Sequence, residues 1–577
     1  MNLVSRLYGE HFTRQIGDWC RARGVEYIGH VLEDNGVHAR LGCGPAHFFR
    51  ALWGQDMAGL DVVLWQLAPG FDSGHFAAVA TEADGEFFHY GLAKLGSSLA
   101  HLDPKKQGRA MCEVFGAYGW AEGLKLMKWM TDHMLVRGVN VFVPHAFSQA
   151  EFPDHDCPPH MYARGKNPQY RFYRALNDYT NRTSHLLTGG THIASLAVLY
   201  HAEAEWAGDA MPFQKPLKRL MQRQIDCDVL PADVLLGSAG LADGQLEANG
   251  ERYRALVIPY SQALPENLLE RLASLAEGGL PVVFVDRLPE RVSDRPQQSA
   301  ALDHLAALPG IRVIPLEALA QFARAQGWHE VDTSESQPYL RSYHVRHAGM
   351  DVYMFTNEHP RQPVETQLTL RGQTGPAVRY NAFENTAARL EAAEGEDGLS
   401  FRLSLSPYEA ALVVCGPGLP PLAPIADEPA RQWPSDSSRV IEVRGPWAVS
   451  TAEAQAYPRF TPWKTIETLS DLGQPGALPL FSGTFRYETE FEAPAESGPA
   501  LLDLSELYET AEVWLNGERI GARICPPYCM EISALKPGKN TLVIEVTNTL
   551  ARTVQDFFSR VTAQEPSGLL GPVRIGW

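Results

Sequence analysis

Arg109-Ala110-Met111-Cys112-Glu113-Val114-Phe115-Gly116-Ala117-Tyr118-Gly119-Trp120 is an apolar run with one carboxylate near its end, followed by a loop of small and aromatic residues. A strand buried on both faces tolerates no charge along its length, so a carboxylate at its exit points into the cleft that the following loops enclose. The competing reading is a solvated glutamate that caps the next helix. Outward from this stretch, helix and strand alternate. Downstream come a helical pattern over 124–137, the run Val139-Asn140-Val141-Phe142-Val143-Pro144-His145, and a helix over about 168–187. Upstream, Leu3, Leu7, Phe12, Ile16 and Trp19 recur at helical intervals before Gly24, a C-cap glycine. A strand over 25–32 then runs into Glu33-Asp34-Asn35-Gly36, a helix covers 45–53, a strand covers 59–65, and a segment rich in Ala, Leu and Ser covers about 89–102.

Repeated βα units imply a parallel sheet, and polar residues gathered at strand C-terminal ends imply a (β/α) barrel with its site on that face. A full barrel needs about 250 residues, whereas only about four strands fit into the first 190 or so. The expectation is therefore a partial barrel over 1–190, its other half lost by truncation or supplied by a partner, with truncation favoured. An open half barrel exposes strand edges and apolar faces.

From about Thr191 a second α/β unit begins, with strands at 192–200, 255–260, 280–285 and 311–314 and helices at 266–277 and 316–326. It reads as a flavodoxin-like doubly wound sheet over 191–333, without a GxGxxG or phosphate-loop motif. Beyond about 335 the period drops to two, which marks a small β-sandwich over 334–418. A Pro/Ala/Asp/Ser-rich linker at about 417–438 precedes a second β-rich domain within 419–577, read as a jelly roll. The fold class expected is thus multidomain α/β plus all-β.

The 577 residues, with 50 basic against 68 acidic side chains and a formal charge of −18, contain no basic block that would track a phosphate backbone. Nucleic acid is not an expected partner. The start of the chain lacks the apolar core of a signal peptide and no run is long enough to span a bilayer, so the cytoplasm is the expected compartment and a membrane is not. The eight cysteines are scattered singly and read as reduced thiols; Cys525 and Cys529, the one close pair, lack further ligands for a metal.

Several segments carry a family resemblance. Gly483-Thr484-Phe485-Arg486-Tyr487, the run 502–517 containing Val513-Trp514-Leu515-Asn516-Gly517, and Leu535-Lys536-Pro537-Gly538-Lys539-Asn540 together resemble the sugar-binding-like jelly roll of family 2 glycoside hydrolases. The unit with Val257-Ile258-Pro259-Tyr260 looks like the amidotransferase-like trimerisation domain that follows the barrel in many β-galactosidases; without a nucleophilic Cys in a strand-to-helix elbow it reads as structural. The barrel segment, with His30-Val31-Leu32-Glu33, the Glu113 stretch and Val139 to Phe147, resembles large clan-A-type bacterial glycosidases, α-L-rhamnosidase-like or related to family 2. The resemblance implies that the Glu113 strand is the seventh of the barrel, that Glu113 is the nucleophile or general base, and that the acid/base belongs to a fourth strand absent here. The implied activity is hydrolysis of terminal sugars on oligo- or polysaccharides. The alternative is a non-catalytic carbohydrate-binding or assembly protein descended from a truncated glycosidase. The amidotransferase-like domain and the open barrel edge favour a dimer or trimer.

Glycoside cleavage needs two carboxylates, about 5 to 5.5 Å apart for retention and about 6.5 to 9.5 Å for inversion. Within this sequence the best second carboxylate is Glu33, with Asp34 behind it, since both leave a strand's C-terminal end; Glu33 binding a sugar hydroxyl is the competing reading. Asp61 lies earlier in its strand and reads as structural. His30 and His145 are expected to meet a ring hydroxyl or orient a carboxylate, or to be core histidines satisfied by backbone. Trp65, Tyr118 and Trp120 are expected as a stacking platform, with core packing the rival, strongest for Trp65. Asn140 is counted with the substrate-binding set. Pro153-Asp154-His155-Asp156-Cys157-Pro158-Pro159-His160 holds metal-ligand residue types, but it follows the last strand, where the resemblance implies a Pro-rich sugar-side loop. No metal and no cofactor are expected.

Overall fold

The computed structural model describes residues 1–31, 37–40, 44–77, 82–294, 300–419, 433–434, 436–494, 498–533 and 535–577. Three parallel strands form the sheet that carries Glu113: Ala58–Val62, then Ala110–Val114 in the centre, then Val141–Pro144 at the edge. The central strand is buried apart from Glu113, which is half-buried. Its apolar side chains are covered by the helices Ala93–Leu102 and Leu124–Leu135, buried around almost their whole circumference.

The strand expected over 25–32 is not formed in its described part, which ends at Val31. This segment nonetheless lies against the sheet: a Cβ on Gly59 would meet the Gly29 carbonyl at 1.7 Å. Instead of a ladder, the segment is held through Asp56, whose backbone N–H donates to the Tyr27 carbonyl and whose Oδ2 accepts from the Tyr27 N–H, at 2.8 Å each. At the N-terminus, Asn2–Tyr8 and Gln15–Arg21 are α-helical, joined by a wider turn at Gly9–Arg14, and Gly24 closes the run at φ +68°. The apolar stripe of this run does not enter the core. Leu3, Leu7, Phe12 and Trp19 are exposed, while Ser5, Thr13 and Gly17 are buried. Small residues face inward because the backbone there closes on Gly54, whose carbonyl would lie 2.1 Å from a Cβ on Gly17.

The second unit is a five-stranded parallel sheet. In chain order its strands are Leu196–Tyr200, Cys227–Pro231, Ala255–Ile258, Val282–Val285 and Ile311–Ile314, and in space they run 2-1-3-4-5, the flavodoxin-like order. The continuous strand expected over 192–200 is two strands: Thr191–His192 pairs with Val345 and Arg346 of the next unit, and only Leu196–Tyr200 joins the parallel sheet. Two sheets of four and six strands follow, built by strands between Val331 and Cys415, with Thr191–His192 at the edge of the larger one. A further pair of four- and six-stranded sheets spans Val440 to Gly576 and closes on its own core, centred on Phe485, Tyr487, Val513, Ile544 and Ile575.

A buried ionic knot joins the first three units. Asp228 on Cys227–Pro231 accepts from Ser98, meets His101 at 2.9 Å and His192 at 3.0 Å, and accepts from Tyr253 at 3.0 Å. Lys94, wholly buried on the helix Ala93–Leu102, pairs with Asp226 at 3.0 Å and with Asp228 at 3.8 Å. His192, held between the two carboxylates, is pushed up to about 9: burial opposes its charge, and the Asp228 and Asp226 charges more than offset that.

Candidate active site

The equal register of two strands builds the site. Asp61 and Glu113 are Cα partners on neighbouring parallel strands, so their side chains leave the same face of the sheet, roughly 4.8 Å apart at the backbone. Between them stands His30. Its Nε2 lies 3.2 Å from Glu113 Oε2, and its Nδ1 lies 3.3 Å from the Val31 carbonyl and 3.9 Å from Asp61 Oδ2. Exposure falls along this row: the side chains are 33% accessible at Glu113, 27% at His30 and 12% at Asp61. Glu113 is therefore the member that faces solvent, and Asp61 is the one shielded behind the imidazole. Glu33 and Asp34 lie outside the described residues.

The backbone after each strand is bent sharply to form the rim. Leu64 and Trp65 after the first, and Phe115 and Ala117 after the second, all take positive φ, and the Leu64 N–H donates to the Gly116 carbonyl. Gly116 is required by close approach, since a Cβ there would press on the His145 ring at 3.1 Å and on Val63 at 3.2 Å. His145 is thus wedged beside the Glu113 loop, its own N–H donating to the Val114 carbonyl. The segment 147–160 then folds back over the same rim, where the Ala117 and Gly119 N–H groups donate to the carbonyls of Cys157 and Pro158. It brings the Cys157 thiol into the field of Glu113. Burial chiefly raises that thiol's pKa, followed by the Asp156 hydrogen bond and the Asp156 and Glu113 charges.

Four of the expected substrate contacts are engaged elsewhere than beside Glu113. Trp65, Tyr118 and Trp120 are 5%, 0% and 2% exposed and pack inside the molecule. The Trp65 indole donates to the Phe558 carbonyl, the Tyr118 hydroxyl donates to the Leu67 carbonyl and accepts from its N–H, and Trp120 packs against Phe152, Ala163 and Leu550. The shape of the loop decides this: the left-handed residues curl it back beneath the rim, so its aromatics serve the contact with the C-terminal unit. Asn140 sits at the opposite end of the sheet from Glu113, where its Oδ1 accepts from the Ala110 N–H and its Nδ2 donates to the Gly108 carbonyl. It fastens the start of the Glu113 strand.

In the 153–160 loop, Asp154 bonds Ser148 and lies 3.4 Å from His160, a tie within the loop. Among the described residues the one group with three ligand-type side chains drawn together is His101, His192 and Asp228. The Asp228 oxygens there are already occupied by Ser98, Tyr253 and the two imidazoles, with Lys94 alongside. Such a knot neutralises itself and leaves no open donor set for a cation.

Sequence reasoning missed Asp61 as a member of this row. The equal placing of Asp61 and Glu113, each fourth in a five-residue strand, emerges only once the strand bounds are known. Sequence reasoning also missed the aromatics that do reach solvent beside the site, Phe147, Tyr162 and Tyr170.

With this geometry in place, comparison with known proteins bears on identity. The α-L-rhamnosidase family, glycoside hydrolase family 106, matches residues 77–368, half of the chain. The chain belongs to that family. Among solved structures, a rhamnosidase from Novosphingobium sp. PP1Y superposes with a TM-score of 0.71 at 19% identity, covering 99% of this chain and 55% of its own. The rhamnosidase-family chain described here thus spans about half the length of that protein. An exo-carrageenase of GH42 from Bacteroides ovatus gives a TM-score of 0.49 at 9% identity, covering 72% of this chain and 56% of its own. No curated protein matches. No helix among the described residues is long and apolar enough to cross a membrane.

Proposed function

We propose that this chain is a glycoside hydrolase that removes terminal α-L-rhamnose from oligo- or polysaccharides by a two-carboxylate mechanism. The observation that supports it best is the row Asp61, His30, Glu113, in which a solvent-facing carboxylate is fixed by an imidazole that a shielded carboxylate and a carbonyl hold from behind. Glu113 is the nucleophile or general base. With Oε2 engaged by His30, its other oxygen has no hydrogen-bond partner among the described residues and would attack the anomeric carbon or take a proton from the attacking water. His30 is a positioning residue, and Asp61 orients it. The acid that protonates the leaving oxygen is Glu33, three residues beyond His30 and on the same stretch of chain. The family supports rhamnose as the sugar.

The test is hydrolysis of 4-nitrophenyl α-L-rhamnoside. Glu113→Gln should lower kcat by about 10² to 10⁴, and recovery with azide or formate would identify a nucleophile. Wild-type protein that binds rhamnose but hydrolyses no rhamnoside would overturn the enzymatic reading in favour of a carbohydrate-binding role.

A further inference from the structure

The loop after the edge strand builds a surface that the proposed reaction does not use. Phe147, Tyr162 and Tyr170 are 54%, 48% and 40% exposed, large values for rings that touch one another. The Tyr162 and Tyr170 ring centres lie 5.1 Å apart and those of Phe147 and Tyr170 6.3 Å apart, both edge to face. Tyr173, buried beneath, supports them: its ring lies 6.0 Å from Phe147 and is nearly parallel to Tyr170 at 6.3 Å. The loop backbone fixes the arrangement. The Met161 N–H donates to the Ala146 carbonyl at 3.0 Å, which clamps the residues next to Tyr162 and Phe147 together.

The surface lies a short length of chain from Glu113. Val143, the register partner of Glu113, is itself exposed, and Phe147 follows it by four residues, so at most about 14 Å of chain separates the two positions. A short oligosaccharide covers that distance. The chemistry also fits a glycan. The rings offer apolar faces to the C–H faces of sugars, and two of the three carry phenolic hydroxyls that can bond sugar oxygens at the margin. The two cations between Tyr162 and Tyr170 are engaged elsewhere, Arg164 on the Gln149 and Ala150 carbonyls and Lys166 over the Phe152 ring at 5.9 Å, so the rings themselves are not charged ground.

We propose that Phe147, Tyr162 and Tyr170 form a stacking platform for the leaving-group side of a neutral oligosaccharide whose terminal sugar lies at Glu113. This rests on the glycosidase reading above, and it adds that the enzyme recognises a chain of sugars and not only the residue it removes.

The measurement is calorimetric titration of Glu113→Gln protein, which would not consume the ligand, with a trisaccharide ending in non-reducing α-L-rhamnose and separately with rhamnose. Phe147→Ala and Tyr170→Ala in that background should each weaken the trisaccharide about threefold to tenfold and rhamnose much less. Phe147→Tyr and Tyr170→Phe, which keep the rings, should retain the affinity. Trisaccharide affinity within twofold of the parent in both alanine variants would overturn the platform. So would equal weakening of both ligands, or unchanged sugar affinity with loss of a dimer in light scattering, which would make the rings a protein contact. Wild-type protein that binds the trisaccharide through these rings yet hydrolyses no rhamnoside would remove the catalytic reading and leave the platform standing.

Discussion

Glu113 reads from the sequence as a carboxylate at a strand exit, and in the structure it stands near the strand's end, half-buried and partly open to solvent. What the sequence could not show is its neighbour across the ladder. Register is a property of two strands, and residues 61 and 113 become adjacent only when both have been laid side by side. His30 was legible as a residue near the site, but its bond to Glu113 depends on a side-chain rotation with no trace in spacing. A consequence at this scale is that Asp61→Asn should lower kcat for rhamnoside hydrolysis by about tenfold to a hundredfold while barely moving KM, because it loosens the orientation of His30 without touching the sugar. An equal change in KM would show that Asp61 contacts substrate. The aromatics differ from expectation for a related reason. Trp, Tyr and Phe look alike in a hydropathy pattern whether they stack on a ligand or fill a core, and only the left-handed turn at Phe115 and Ala117 decides that Tyr118 and Trp120 go inward.

Among the elements, the Glu113 strand and the helices around it were the most legible, because runs buried on all sides have few other places to go. The edge strand Val141–Pro144 is legible as a strand, yet its half-exposed pattern does not follow from a continuous apolar run. Segment 25–31 failed as a strand although its composition favours one, since the pairing that would form a ladder is replaced by the single clamp at Asp56. Asn140 shows how an element is pinned in place. Asn140→Ala would strip the Ala110 N–H and the Gly108 carbonyl of their partners, and it should cost about 1 to 3 kcal/mol, read as a lower denaturant midpoint at unchanged slope. Hydrolysis by the surviving folded fraction should be near wild type, because Asn140 lies at the far end of the sheet from Glu113. Loss of activity without loss of stability would place it in the site after all.

Across the whole molecule, the unit that carries the Glu113 sheet meets the C-terminal unit through two buried carboxyls. Glu122 is raised well above the usual carboxyl range, first by burial and then by the Glu509 charge, and Glu509 is pushed up to about 7, chiefly by burial. Gln169 bonds Glu509, and Lys125, paired with Glu565, stands nearby. Carboxyls held above their unfolded value near 4.5 favour the folded state at low pH. Their contribution is lost as pH rises from about 4.5 through about 7. Melting temperature should therefore fall between pH 5 and pH 8, and Glu509→Gln should flatten that slope; a slope unchanged in Glu509→Gln would assign it elsewhere. His192 works in the same direction over a higher window, its stabilisation being complete below about 6.5 and lost as pH rises through about 9.

The ionic knot at Asp228 gives the domain boundary a meaning that composition lacks. A cut near residue 190 falls where periodicity changes, yet it would separate Lys94 and His101 from Asp226 and Asp228 on the other side. The piece 1–190 would keep a wholly enclosed cation with its counter-charge left behind, and the remainder would keep two enclosed anions with His192 alone between them. Charge neutrality, and not the change from one repeating pattern to another, therefore sets the smallest portion of this protein that can be expected to fold when expressed alone.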